Sequence, residues 1–179
     1  MPCDSEVVGV INIRQILDSP ALKKEGLAEL KKALKANEEA TKILAAVGLD
    51  PFKDLDSVLF TSVGSPPKML VVVRGRFNLD KIHTAAADFA EKNKDLKITT
   101  EGGRKVYDMT GGDKPMSATF LDKNTVLASP DRDYLLDVAK NGPKKGKIHD
   151  DLKTAMDKVS GKESIWVAAV ITEEMKKGM

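Results

Sequence analysis

Two short apolar runs, residues 58–63 and 69–73, are separated by the Gly-Ser-Pro-Pro segment 64–67 and Lys68. Glycine and proline in so short a connection favour a reversal of the chain. A reversal pairs its flanking strands antiparallel, whereas parallel strands need a crossover of a dozen or more residues. The segment therefore predicts a hairpin, and with it a sheet whose neighbouring strands are antiparallel.

The same pattern of apolar run, turn and apolar run recurs twice further along the chain. Segments 96–100 and 105–109 flank Gly102-Gly103, a dipeptide that readily adopts the positive φ of a tight hairpin. Segments 116–121 and 125–129 flank a polar turn. Together these four segments predict a β-meander.

Helices are expected between the strands, each opened by a residue that can cap its first turn. An alternating run at 7–13 predicts a first strand, and an apolar run at 164–171 predicts a last one. Asparagine and serine side chains accept hydrogen bonds from the free N–H groups of a first turn, and proline is tolerated at the first helical position. The predicted helix starts are Ser19-Pro20, Asn37, either Asn78 or Asp80, and Ser129-Pro130.

The order of these elements indicates an α+β fold. The chain begins β-α-β-β-α-β, the ferredoxin-like or split βαβ pattern, and continues as the β-meander. We expect an antiparallel sheet with packed helices in a single domain, residues 1–162. Residues 163–179 are expected to form a terminal strand and a helix start.

That terminal segment resembles the beginning of the chain. Residues 6–11 and 163–168 both read as an acidic residue followed by a buried strand that leads into a helix start. One interpretation is that 163–179 opens a second, truncated repeat. The other is that any buried strand before a helix has this pattern.

Composition excludes several classes of function. The 29 basic and 27 acidic residues leave a net charge of +2, which predicts no nucleic-acid binding. No apolar run approaches the roughly 18 to 20 residues of a membrane span. A single cysteine, Cys3, rules out an internal disulfide. The residues predict no metal site, no cofactor and no catalytic set, since only His83 and His149 are histidines.

Three residues are the weak candidates for a binding site, Arg74, Arg76 and His83. Arg74 and Arg76 form the only local arginine pair and are expected on one face of their strand. Arg14 lies on a similar face, but a ferredoxin-like order would place Arg14 and Arg76 at opposite ends of the sheet. Ion pairs with carboxylates at the sheet rim are the alternative role for these arginines. His83 is expected at the buried edge of its helix.

Several segments resemble a family of exported, functionally uncharacterised proteins from planctomycete-type bacteria. They are VVGVINIRQILDSPALKK, GLDPFKDLDSV, LVVVRGRFNLDKIH and ESIWVAAV. The resemblance covers most of the chain and carries over no catalytic residue. It implies an extracytoplasmic location, periplasmic or secreted, with a signal peptide removed, since the chain begins Met-Pro-Cys-Asp-Ser-Glu without the features of such a peptide.

The function expected on these grounds is a non-enzymatic binding or envelope-structural role, with an unknown protein or envelope component as partner. The alternative is a small-ligand-binding domain, or a hydrolase-type enzyme whose carboxylates are assembled only in the fold. An enzyme would show a concave pocket with at least two titratable groups of displaced pKa. A binding role would show an exposed apolar patch or an open sheet edge.

Overall fold

Eight strands form one sheet in the part of the chain that the computed structural model describes, residues 4–20, 22–64, 68–111, 114–143, 145 and 148–170. Every neighbouring pair is antiparallel. The strands are β1 (Ser5–Ile11), β2 (Leu55–Val63), β3 (Lys68–Gly75), β4 (Leu96–Glu101), β5 (Arg104–Met109), β6 (Met116–Asp122), β7 (Thr125–Ser129) and β8 (Ile165–Ala169). Their order across the sheet is β4-β5-β6-β7-β3-β2-β1-β8.

In the described residues, helices lie between β1 and β2, between β3 and β4, and between β7 and β8. A π-helical turn, Leu22–Gly26, precedes the second of them. The helices are α1 (Ile13–Asp18), α2 (Leu27–Ala36), α3 (Glu38–Val47), α4 (Pro51–Asp54), α5 (Leu79–Lys92), α6 (Arg132–Asn141) and α7 (Asp150–Asp157). The predicted α+β class, an antiparallel sheet with packed helices, is confirmed.

The sheet order differs from the ferredoxin-like arrangement that the element order suggested. In that arrangement one helix crosses from β1 to a β2 that runs parallel to it. Here Ile11 lies opposite Val58, so β1 and β2 are antiparallel neighbours. The reason is that segment 13–54 holds four short helices rather than one, and it returns the chain to the end of the sheet where β1 stops. Strands β1 and β3 consequently run in the same direction.

Two clusters of buried residues lie on one face of the sheet, which we call the α6 face. Val8, Thr61 and Leu70 are directly opposite one another on β1, β2 and β3, and therefore point to the same side. Helix α6 covers one cluster, and α7 covers the other. The first comprises Leu70, Val106, Leu127, Leu135 and Val138, and the second Val8, Leu152 and Ala168.

The local signals of the sequence are accurate at most helix starts and turns. Asn37 and Asn78 accept hydrogen bonds from the N–H groups of Ala40 and Lys81, as predicted. Gly102 and Gly103 turn the β4–β5 hairpin with φ of 56° and 78°. Other boundaries need correction because a stronger local cap was present.

Those corrections concern the first strand and the start of α6. Ile13 begins α1, because the Asn12 side chain accepts a hydrogen bond from the Gln15 N–H and ends the strand at Ile11. Ser19 is the C-cap of α1, and its Oγ also accepts from the Leu22 N–H, which is the capping bond predicted at Ser19-Pro20. At the start of α6 the cap is Asp131 rather than Ser129.

Strand β8 lies at one edge of the same sheet, paired only with β1 among the described strands. Its Val167 lies opposite Gly9, and its Trp166 lies opposite Val10. The expected helix start at 172–179 falls outside the described residues. A second repeat beyond β8 stays a prediction.

Thr61 and Thr119 offer a matched test of how the α6 face is packed, since both are fully buried. Thr61 Oγ1 has no hydrogen-bond partner among the described residues, whereas Thr119 Oγ1 donates to the carbonyl of Lys105 at 2.9 Å. We expect Thr61→Val to raise the free energy of unfolding by about 1 kcal/mol, because it replaces a desolvated, unpaired hydroxyl by a methyl group. Urea denaturation measures the change.

Thr119→Val is the control for that experiment. It makes the same substitution but removes a hydrogen bond, so it should lower the free energy of unfolding by about 1 kcal/mol. Equal effects of the two substitutions would contradict this account of the buried face.

Candidate functional site

Helix α6 is fixed at its start by a network that links it to the sheet. Ser129 Oγ donates to the carbonyl of Met69 at 2.7 Å and accepts from the Asp131 N–H at 3.1 Å. The Asp131 carboxylate accepts from the Tyr134 N–H at 2.9 Å, and this bond lowers the pKa of Asp131, with a further contribution from Lys68. These hydrogen bonds thus hold the first turn of α6 in a fixed position relative to β3 and β7.

Arg132, the first residue of α6, ties the helix to the other half of the sheet. Its Nε lies 3.2 Å from both carboxylate oxygens of Asp108 on β5. A terminal nitrogen donates to Thr99 Oγ1 at 3.1 Å and to Glu101 Oε1 at 3.2 Å, both on β4. The hydrogen bonds that Arg132 donates to Glu101 and Asp108 raise its pKa further. One guanidinium therefore bridges α6, β4 and β5.

Beyond this anchored start, the inward side of α6 changes from large to small side chains. Leu135 and Val138 are buried against the sheet. One position later stands Ala139, whose methyl group fills much less of the space above the strands. Two cavities open there between α6 and the sheet.

The cavities lie side by side and share Arg104 and Ala139 as walls. The cavity nearer the β4–β5 hairpin has a volume of about 380 Å³ and the other about 360 Å³. Both volumes are in the range of small-molecule sites. The first is lined by Glu101, Gly102, Arg104, Val106, Thr119, Leu136, Ala139 and Lys140. The second is lined by Leu59, Leu70, Val72, Arg74, Arg104, Leu121, Thr125, Leu127, Val138, Ala139, Gly142 and Pro143.

The second cavity combines an apolar floor with two positive charges. Leu70, Leu127 and Val138 are buried core residues that form part of its wall. Among the described residues that line it, only Arg74 and Arg104 are charged, and neither side chain makes a hydrogen bond or ion pair with another described residue. None of these described lining residues is a carboxylate. The arrangement provides two unneutralised guanidinium groups beside an apolar space.

The three sequence candidates do not come together. Arg74 lies on β3 and borders the second cavity. Arg76 lies past the end of β3, where it forms an ion pair with Asp54 at 3.8 Å and donates to the carbonyl of Lys53. His83 lies on α5, on the side that faces the sheet, and α5 packs on the opposite face of the sheet from the cavities. The expectation that Arg74 and Arg76 share one face of a strand is therefore wrong, because β3 ends at Gly75.

Arg14 and Arg76 were expected at opposite ends of the sheet, and this too needs correction. Since β1 and β3 run in the same direction, the residues that follow them reach the same edge. Arg14 donates to the carbonyls of Phe52 at 3.1 Å and Lys53 at 2.5 Å, so both guanidinium groups meet at the end of α4. Carbonyl and carboxylate oxygens of α4 and the start of β2 occupy these donors, which gives both arginines a structural role.

His83 belongs to an aromatic cluster between α5 and the sheet. A hydrogen bond joins its Nδ1 to the Tyr107 hydroxyl, and the rings of both residues lie edge-on to Phe120 at about 6 Å. Burial lowers the pKa of His83, with a smaller contribution from Lys105, and raises the pKa of Tyr107 to about 12. Both shifts favour the neutral forms, as a packed hydrogen-bonded pair requires.

Neither a metal site nor a membrane helix is found among the described residues. They contain no group of three or more histidine, cysteine, aspartate or glutamate side chains placed to hold a metal ion. None of their helices is long and apolar enough to cross a membrane.

Comparison with known proteins gives structural neighbours but no sequence relative. No protein-family model and no curated protein matches the chain. The chain is similar in shape to crystal form III of TP0453, a Treponema protein, with a TM-score of 0.48 and 10% identity over 93% of this chain and 60% of that one. Crystal form IV of the same protein gives a TM-score of 0.47 and 9% identity over 93% and 63%. The chain thus spans less than two thirds of the length of these neighbours.

Arg104 is the site residue that the sequence reasoning missed. It carries a weak signal, since Arg104 and Val106 alternate on β5 as Arg74 and Val72 do on β3. Strands β5 and β3 are separated by three spacings of about 4.8 Å, because β6 and β7 lie between them. The distance between Arg104 and Arg74 therefore depends on where β6 and β7 are placed. Only the sheet order brings these two arginines to one cavity.

The lowered pKa of His83 predicts how acid affects stability. The unfolded chain takes up a proton at His83 near its ordinary pKa of 6.5, whereas the folded protein does so only at lower pH. The contribution of neutral His83 to the free energy of unfolding is therefore complete above about pH 6.5. It is lost as the pH falls through the pKa of His83 in the folded protein. We expect His83→Gln to reduce the loss of thermal stability between about pH 7 and 5.

Differential scanning fluorimetry across that range measures the effect, and an NMR titration of the imidazole protons gives the pKa of His83 directly. Identical pH dependence in the wild type and His83→Gln, or an NMR pKa above 6.5, would refute the assignment.

Proposed function

We propose that the protein is a non-enzymatic binding protein that takes up a small, largely apolar molecule between α6 and the sheet. The observation that carries the proposal is the pair of adjoining cavities beneath α6. Their volumes suit a ligand of modest size, and the walls of the second are mostly aliphatic. Asp131 and Arg132 hold α6 in place without a ligand. Because α6 forms one side of both cavities, this anchoring supports a preformed site.

The distribution of titratable groups supports binding over hydrolysis. Among the described residues that line the two cavities, Glu101 is the only carboxylate, and it is already paired with Arg132. A hydrolase of the expected type would need two carboxylates or a nucleophile with its base. His83 and Tyr107, which are in contact and have displaced pKa values, line neither cavity.

An extracytoplasmic location and a protein or envelope partner are a further part of the proposal. The resemblance of the chain to exported bacterial proteins is what supports them. We expect a fusion of the full-length gene product to alkaline phosphatase to be active in a bacterial host, because that enzyme requires an oxidising compartment. A fusion that is produced but inactive would count against export.

Filling the cavities tests the binding site. We expect the neutral dye 1-aminoanthracene to bind the wild type saturably, with a rise in fluorescence, and Ala139→Leu to weaken that binding at least tenfold. Ala139 borders both cavities, so a larger side chain there occupies space in each. Ala139→Met is a second variant whose flexible side chain fills the same space with less strain.

Ala87→Leu is the matched control, since Ala87 is an exposed residue of α5 and lines neither cavity. It should leave dye binding unchanged. Equal dye affinity in the wild type and in folded Ala139→Leu and Ala139→Met would overturn the proposed site.

A further inference from the structure

Arg74 and Arg104 lie on the same side of the sheet although three strand spacings separate their strands. Arg74 lies opposite Thr125 on β7, and Arg104 is two residues from Val106 on β5, so both share the α6 face. Both side chains border the cavity of about 360 Å³. The Cα atoms of β3 and β5 are about 14 Å apart across three spacings of about 4.8 Å, so two arginine side chains can approach a group between them.

These two arginines differ from the other three of the chain in having no partner within the described segments. Arg14 and Arg76 bond the end of α4, and Arg132 bonds Asp108, Glu101 and Thr99. By contrast, no hydrogen bond or ion pair links the side chain of Arg74 or Arg104 to another described residue. A guanidinium beside apolar surface interacts best with an anion, because its planar donors match carboxylate and phosphate oxygens.

We propose that the ligand is an amphiphilic anion, with one acidic headgroup held between Arg74 and Arg104 and an apolar body that contacts Leu70, Leu127 and Val138. The inference rests on the proposed binding function and adds the chemical class of the ligand. Thr125, which also lines the cavity, supplies a hydroxyl at the same end as Arg74. The apolar residues thus select for the apolar body of the ligand, and the two arginines select for its acidic headgroup.

The selectivity follows from the charges that line the cavity. A positively charged headgroup would meet two guanidinium groups there, and no carboxylate from the part of the chain that the structure describes. A neutral headgroup would keep the apolar contacts and gain no ionic hydrogen bond. Affinity should therefore fall in the order anion, neutral molecule, cation, and the preference for the anion should weaken as salt screens the charges.

Isothermal titration calorimetry with four ligands of one chain length tests this order on the whole protein. The probes are octanoate, octyl phosphate, 1-octanol and octylammonium. We expect octanoate or octyl phosphate to bind at least tenfold more tightly than 1-octanol, and octylammonium to bind more weakly than 1-octanol. The comparison of the two anions shows whether a carboxylate or a phosphate headgroup suits the pair of arginines better.

Charge-removing variants locate the headgroup. Arg74→Gln and Arg104→Gln should each lower the affinity for the preferred anion about tenfold and leave that for 1-octanol unchanged. Lys153→Gln removes one positive charge from an exposed position on α7 and serves as the control, with wild-type affinities for all four probes. Melting temperatures near that of the wild type would show that both arginine variants are folded.

The outcomes separate this inference from the function on which it rests. Equal binding of octanoate, octyl phosphate and 1-octanol, still weakened by Ala139→Leu, would overturn the anionic headgroup and leave the cavity as a neutral site. An anion preference that both arginine variants retain would also overturn it. Absence of binding by every probe, including 1-aminoanthracene, would overturn the proposed function itself.

Discussion

Strand β1 pairs with β2 along its whole length, from Ser5 opposite Val63 to Ile11 opposite Val58, and this pairing determines how the rest of the molecule is arranged. It makes β1 and β3 run in the same direction, brings the residues after both strands to the end of α4, and leaves the outer side of β1 for β8. The meander then adds to the other side of the sheet through β3 and β7. Had one helix carried the chain across the sheet instead, β3 would separate β1 from β2, and Arg14 and Arg76 would lie at opposite ends.

The candidate site depends on a contrast within one helix. The start of α6 is held by polar groups, with Asp131 as its cap and Arg132 bridging two strands. Its middle is held by Leu135 and Val138 in the core. Ala139 is too small to continue this packing, and space remains above β3, β5 and β7. A well-anchored helix that carries one small inward residue can thus keep a cavity open without a mobile lid.

The sequence predicts the elements of this fold better than their arrangement. Local chemistry is decisive at Asn37, Asn78 and the Gly102-Gly103 turn, because a cap or a tight turn involves only neighbouring residues. Strand order depends on the end of the sheet to which the long connection between β1 and β2 returns the chain. The residues in and around β1 do not indicate which end that is. The same limit applies to the site. Arg74 could be singled out from the sequence, but Arg104 could not be related to it before β6 and β7 were placed between them.

The pairing of β1 with β8 also has a consequence for how the protein folds as it is made. The first strand of the sheet is hydrogen-bonded to the last, with Val8 opposite Ala168 and the Val170 N–H donating to the carbonyl of Glu6 at 2.8 Å. The second buried cluster contains both Val8 and Ala168, so it cannot form on a nascent chain that ends before β8. Such distant contacts slow folding, since a long loop must close before they form. On the ribosome, the outer side of β1 therefore stays unpaired until nearly the whole described chain has emerged.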